Sequence, residues 1–189
     1  MVCRQRSIRW SGGAAALAVA CIGLVSCGGG GDDPAEREES ASTSAAPEPT
    51  STTLSPTQEV EAAFLAFDAM VERLAQAPNP DDPEIAQRAS GEILAGVQQS
   101  QTTLRTTGYR AEFGERQATH ILEVSIVDAA TATLLDCSID DRTEITPTGA
   151  KGPFLETYWT EWTLRQVEGV WYVDSGDAID MQQGEQSCE

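Results

Sequence analysis

The chain has 189 residues, enough for one domain of ordinary size with a real core once a leader and a linker are set aside. Three of its 12 basic residues, Arg4, Arg6 and Arg9, precede the first acid, Asp32, so the remainder carries nine bases against 30 acids, a net charge of −21. That charge repels nucleic acid and anionic headgroups and offers no basic stripe for phosphates; nucleic acid is excluded as a partner, and the ordinary consequence of the acidity is solubility.

Residues 1–9 hold the three arginines and residues 13–25 form an uncharged apolar run, the n-region and h-region of a signal peptide. The run is shorter than the ~20 residues that span a bilayer core, and Gly28–Gly31 follow it in place of basic stop-transfer residues. It ends in Leu24-Val25-Ser26-Cys27, which resembles the bacterial lipobox. The resemblance implies cleavage after residue 26 and a diacylglyceryl group on the Cys27 thiol. It also implies an extracytoplasmic lipoprotein, held at the cell membrane by thioether-linked lipid and an added acyl chain such as palmitate. Each buried methylene adds roughly 0.8 kcal/mol, so two or three chains anchor firmly.

From Cys27 to Leu54 the chain is Gly, Asp, Pro, Glu, Ser and Thr with little to bury, and it reads as a disordered tether reaching roughly 30 Å. The domain is expected over residues 55–189. Ser55-Pro56-Thr57-Gln58 opens a first helix with an N-cap, Pro at N1 and a capping-box Gln. Val60, Phe64, Phe67, Val71 and Leu74 share one face of it, and Pro78-Asn79-Pro80 stops it. Asp82-Pro83 starts a second helix, with Ile85, Ala89, Ile93, Val97 and Leu104 on its buried side and Gly108 just past its end.

Beyond Gly108 the apolar period becomes two. Strands are expected at 119–128, 131–139 and 157–167, with Glu168-Gly169 turning into Val170-Trp171-Tyr172-Val173 and an edge strand over Tyr109–Phe113. This is an α+β class: two N-terminal helices packed on a curved antiparallel sheet of four to five strands. The order resembles the NTF2-like (SnoaL-like, cystatin-like) superfamily over about residues 56–180, its most telling segment being Thr163-Leu164-Arg165-Gln166-Val167-Glu168-Gly169-Val170-Trp171-Tyr172-Val173, similar to that family's final hairpin. Tethered domains of this kind recur among actinobacterial envelope lipoproteins.

Cys3 and Cys21 fall in the leader and Cys27 takes the lipid, which leaves Cys137 and Cys188 as an even pair in an oxidising compartment, expected to be a disulfide that pins the tail. No catalytic, metal or cofactor site is expected. His120, the only histidine, reads as a surface residue of a strand. Asp136, Asp140, Asp141 and Glu144 read as a solvated acidic loop, since they lack the calcium-loop spacing. Gly28–Gly31 precede no helix and so cradle no phosphate. The NTF2-like resemblance implies, for its isomerase and cyclase members, an acid and a tyrosine inside the cone. Tyr109, Tyr158, Asp136, Glu123 and Glu161 are the candidates, without an assigned role, while Trp159, Trp162 and Trp171 read as core.

Three functions are ranked on this basis. First comes a non-enzymatic envelope module binding a protein or cell-wall partner. A carrier of a small apolar ligand, needing a closed apolar pocket of at least ~300 Å³, comes second. Last is an isomerase- or cyclase-type enzyme, needing a buried carboxylate within hydrogen-bond reach of a tyrosine.

Overall fold

A computed structural model describes residues 54–188. The expected leader, the Leu24-Val25-Ser26-Cys27 lipobox and the tether up to residue 53 lie outside the described residues. No helix among the described residues is long and apolar enough to cross a membrane.

Helix α1 (Pro56–Gln76) begins as expected. Ser55 Oγ accepts from the Gln58 N–H and the Gln58 side chain accepts from the Ser55 N–H, so two of the four orphan donors at the helix start are satisfied reciprocally. Its buried stripe is Val60, Phe64, Phe67, Met70 and Leu74; Val71 is only half-buried. Met70 takes Val71's expected place in the buried stripe, while Val71 packs at the edge of the core.

The second expected helix is interrupted. Helix α2 (Pro83–Arg88), capped by Asp82 Oδ1 on the Glu84 N–H, ends at Ala89, and α3 (Gly91–Thr107) restarts after Ser90. Ala89 and Ser90 are extended, Ala89 forms a parallel bridge with Val173, and the Ser90 N–H and hydroxyl bond Val173 O and Asp174 Oδ1. Backbone pairing with a strand edge thus outcompetes two residues of helix, although the apolar spacing ran on through them. The burial differs too: Ile85 and Ala89 are buried, Ile93, Val97 and Leu104 are half-buried, and Gln101 is the buried residue of α3. Gly108 closes α3 in the left-handed region (φ 69°), where the Cβ of another residue is penalised.

Five antiparallel strands follow: β1 (Arg110–Phe113), β2 (Ala118–Asp128), β3 (Thr131–Thr146), β4 (Gly149–Val167) and β5 (Val170–Gln183). β3 is the hub, pairing β2 along its first half, β1 along its second half and β4 along its other edge; β5 pairs β4. The β4–β5 turn is tight, with Glu168 and Gly169 both at positive φ. Register shifts interrupt the β2–β3, β3–β4 and β4–β5 ladders, and each bulge bends the strand that carries it, curving the sheet.

Strands β3, β4 and β5 are longer than expected. Residues 140–156 read as a loop because they hold acids, two glycines and two prolines, yet they form the far ends of β3 and β4 around the turn at 147–148. The acidic cluster is therefore a strand, and its alternation separates the acids: Asp136, Asp140 and Glu144 face a cavity, while Asp141 points the other way, toward Arg116.

Helix α1 lies across one face of the sheet, touching β1, β2 and β5, and α3 packs on β5. The core between the layers is the α1 stripe with Ile85, Ala89, Ala132, Leu134, Leu164, Trp171 and Val173. On the outer face the tail 184–188 crosses from β5 over β4 to β3. The Gly184 N–H bonds Leu155 O, the Gln186 N–H bonds Thr157 Oγ1, and Cys188 is disulfide-bonded to Cys137. The strap covers Thr157 and Cys137, both 0 % exposed on the outer face of the sheet.

Candidate functional site

The helices cover only part of the sheet. Where β1 and the far halves of β3 and β4 diverge from α1, they leave an open cavity of about 490 Å³. Its apolar wall is Phe64 and Val71 of α1, Leu104 of α3, Phe113 of β1 and Trp162 of β4. Trp162 stands against Phe64 and Phe67 with ring centroids 5.6 and 5.9 Å apart. Gly176 in β5 makes room for it, since a Cβ there would lie 2.5 Å from the indole ring. The cone is thus walled by aromatic side chains and not filled by them.

Asp136 sits at the base, 2 % exposed. It accepts from Trp162 Nε1 at 2.7 Å on Oδ1 and from the Ser138 hydroxyl on Oδ2. Burial pushes its carboxyl above the ordinary range, and these two donors, by favouring the charged form, offset only part of that. Asp68 on α1 also lines the cavity, accepting from Thr119 Oγ1 at 2.8 Å. Its pKa too is raised, first by burial and then by the negative charges of Glu72 and Asp136, against the Thr119 bond. Glu72, one turn on, receives Gln117 Nε2 at 2.7 Å.

The mouth is more polar. Arg142 pairs with Asp140, reaches Glu144 at 4.0 Å and lies over the Phe154 ring. Tyr158 donates its hydroxyl to Glu156; burial and that carboxylate push the phenol up to about 12, and the same bond holds Glu156 below its ordinary range. Tyr109 lines the rim with Lys151 over its ring.

Of the candidate acid and tyrosine residues, Asp136, Tyr109 and Tyr158 meet at the cavity. Glu123 and Glu161 do not: they are exposed on the outer face, beside a depression of about 90 Å³. His120 is exposed on β2, opposite Cys137 in register. Trp162 and Trp171 are core as expected, whereas Trp159 lies half-buried on the outer face. Asp68, Glu72 and Arg142 were not among the sequence candidates. A signal existed for the first two, because Phe64, Asp68, Val71, Glu72 and Ala75 form one ridge along the flank of the apolar stripe. Among the described residues no group of three His, Cys, Asp or Glu is arranged to hold a metal ion.

No family model matches the chain, and no curated protein matches it in sequence. Solved structures do. The intermembrane space region of the chloroplast protein ARC6 is similar with a TM-score of 0.56 at 10 % identity, covering 67 % of this chain and 98 % of that one. A ketosteroid isomerase-like protein from Erwinia carotovora atroseptica is similar at a TM-score of 0.44 and 18 % identity, over 66 % of this chain and 96 % of that one. A domain with a cystatin-like fold from Nostoc punctiforme follows at 0.39 and 16 %, over 65 % and 76 %. At these identities the likeness is one of fold: the chain carries helices followed by a five-stranded antiparallel sheet, the α+β arrangement expected from its sequence.

Proposed function

We propose that the protein is a membrane-anchored carrier or receptor, tethered through lipidated Cys27 on the extracytoplasmic face, that holds a small ligand in the cone. The observation that carries this reading is the cavity of about 490 Å³, larger than the ~300 Å³ a small-molecule site needs and walled on one side by Phe64, Val71 and Trp162; it is open and lined by acids on the other side, not the closed apolar pocket expected from the sequence. The module that binds an envelope protein or cell-wall partner, ranked first on sequence, requires no such cavity, and so gives way to the carrier.

The proton-transfer enzyme is less well supported. It needs a buried carboxylate hydrogen-bonded to a tyrosine, whereas Asp136 bonds Ser138 and Trp162, Asp68 bonds Thr119, and the tyrosine hydroxyl of Tyr158 goes to the outlying Glu156. We therefore read the domain as non-enzymatic.

Two measurements test the two halves of the proposal. Val71→Trp adds an indole to the half-buried flank of α1 and narrows the cavity; native mass spectrometry of the chain taken from its own envelope is expected to show a small-molecule adduct that is lost or clearly weakened in this variant. An adduct undiminished in the narrowed variant, or missing from both, overturns the carrier. Cys27→Ala is expected to leave the membrane fraction or to accumulate as precursor in cell fractionation. A processed form retained at the membrane overturns the anchor.

A further inference from the structure

The cavity's charge is lopsided in a way that specifies what it takes. Five carboxyl groups line it: Asp68 and Glu72 from α1, and Asp136, Asp140 and Glu144 from β3. Only two cations do, and neither serves the base. Arg110 is turned to Glu112 at 2.9 Å, and Arg142 is held by Asp140 and Glu144 at the mouth. The remaining polar lining near the base, Ser138, Thr160 and Gln117, is neutral, α3 contributes Ser100 and Leu104, and the titratable tyrosines stand at the rim with Arg142. Asp68 and Asp136 therefore share a cavity with each other and with Glu72, and among the described residues no cation touches either one.

Both keep acceptor capacity. A carboxylate offers about four lone-pair sites; Asp136 uses one on each oxygen, and Asp68 receives only Thr119 on Oδ2. Phe64 and Trp162 line the same cavity, so an apolar body carried by a cation has aromatic rings to lie against. An anionic ligand would meet like charge here and across the whole chain, which carries −18.

We infer that the cavity selects a small organic cation, an amine whose ammonium group sits at Asp68 and Asp136 and whose apolar body lies along Phe64, Val71 and Trp162. The inference rests on the cavity being a ligand site and adds the ligand's charge. An ammonium group supplies the positive charge that both carboxyls lack, so it binds their ionised forms. Because both pKa values lie above the ordinary carboxylate range, affinity rises with pH as Asp68 and Asp136 lose their protons, with Glu72, Asp140 and Glu144 adding to the field and Arg142 and Arg110 opposing it.

Three probes with one body and different heads decide the matter: 4-phenylbutylamine, 4-phenylbutanol and 4-phenylbutanoate, titrated calorimetrically into the full chain. At pH 7.5 the amine is expected to bind at least about tenfold more tightly than the alcohol, with the carboxylate weakest, consistent with one charge-assisted contact. Its affinity should fall as the pH is lowered through the raised titration range of the two carboxyls, while the alcohol's stays level. Asp136→Asn and Asp68→Asn, the latter only partly buried on α1 and so the smaller risk to folding, are each expected to weaken the amine about fivefold or more and to leave the alcohol within twofold. Glu161→Gln on the outer face should change neither. An alcohol that binds as well as the amine, or an amine indifferent to both variants, overturns the charge preference and leaves the cavity a ligand site. No binding by any of the three overturns the preference and counts against the cavity reading as well.

Discussion

Cys188→Ser is expected to destabilise the domain by about 2–4 kcal/mol, measured as a fall in the urea midpoint with a steeper slope, because the denatured chain without its crosslink exposes more surface. The bridge to Cys137 closes a loop with a sequence separation of 51 residues, for which the chain-entropy account gives a ceiling of about 4 kcal/mol. The tail adds little of its own: among 184–188, two backbone N–H groups bond the sheet, at Leu155 O and Thr157 Oγ1. Releasing it also uncovers Thr157 and Cys137 on the outer face. Mass analysis of the untreated chain should come out two hydrogens lighter than the reduced form, and a Cys188→Ser variant as stable as the parent would mean the strap is ornamental.

Trp162→Ala should cost about 3 kcal/mol, and more at pH 7.5 than at pH 4.5. The size follows from removing an indole packed on Phe64 and Phe67, and is set at the low end of the usual range because Trp162 is half-exposed to the cavity. The pH dependence follows from Asp136. With its folded pKa raised, Asp136 binds more protons in the native than in the unfolded state. Stability therefore falls as pH rises from the ordinary carboxylate pKa, about 3.9, through the raised folded value, and is level above it. The Trp162 Nε1–H favours the charged form, so removing it raises the folded pKa further and deepens that loss. Trp162→Phe keeps a ring against Phe64 and loses only the donor; it should cost about 1 kcal/mol with the same pH signature. Chemical denaturation at the two pH values reads both variants, and an equal cost at each would show that the indole N–H does not govern Asp136. Asp82 and Glu156, held below their ordinary range by Arg73 and by Tyr158, contribute in the opposite sense. Their stabilisation is present at neutral pH and fades as pH falls through their lowered values.

Local chemistry was legible wherever it was stronger than its surroundings. Ser55, Pro56 and Gln58 could form only one kind of helix start, and Gly108 only one kind of helix end. Glu168-Gly169 between two alternating runs became the hairpin turn it resembled. The break at Ala89-Ser90 was not legible, because it depends on Val173 and Asp174, more than 80 residues away. Gly149–Glu156 carries loop residues and is a strand only because β3 lies beside it; Pro153 falls opposite the register shift between Arg142 and Glu144, where a missing N–H costs the ladder least.

Sequence alone thus determined the α+β class with helices before strands and four of the five residues in the α1 stripe, which follow from periodicity and capping within short stretches, and it chose Cys137 and Cys188 as partners by a count over the whole chain. Only the tertiary structure decided that Asp68, Asp136 and Trp162 surround one cavity, and that Asp140 and Asp141 face opposite sides of the sheet. The reason is physical: an acid's consequences depend on the dielectric and the partners around it, and these come from strands and a helix that meet only when the chain has folded.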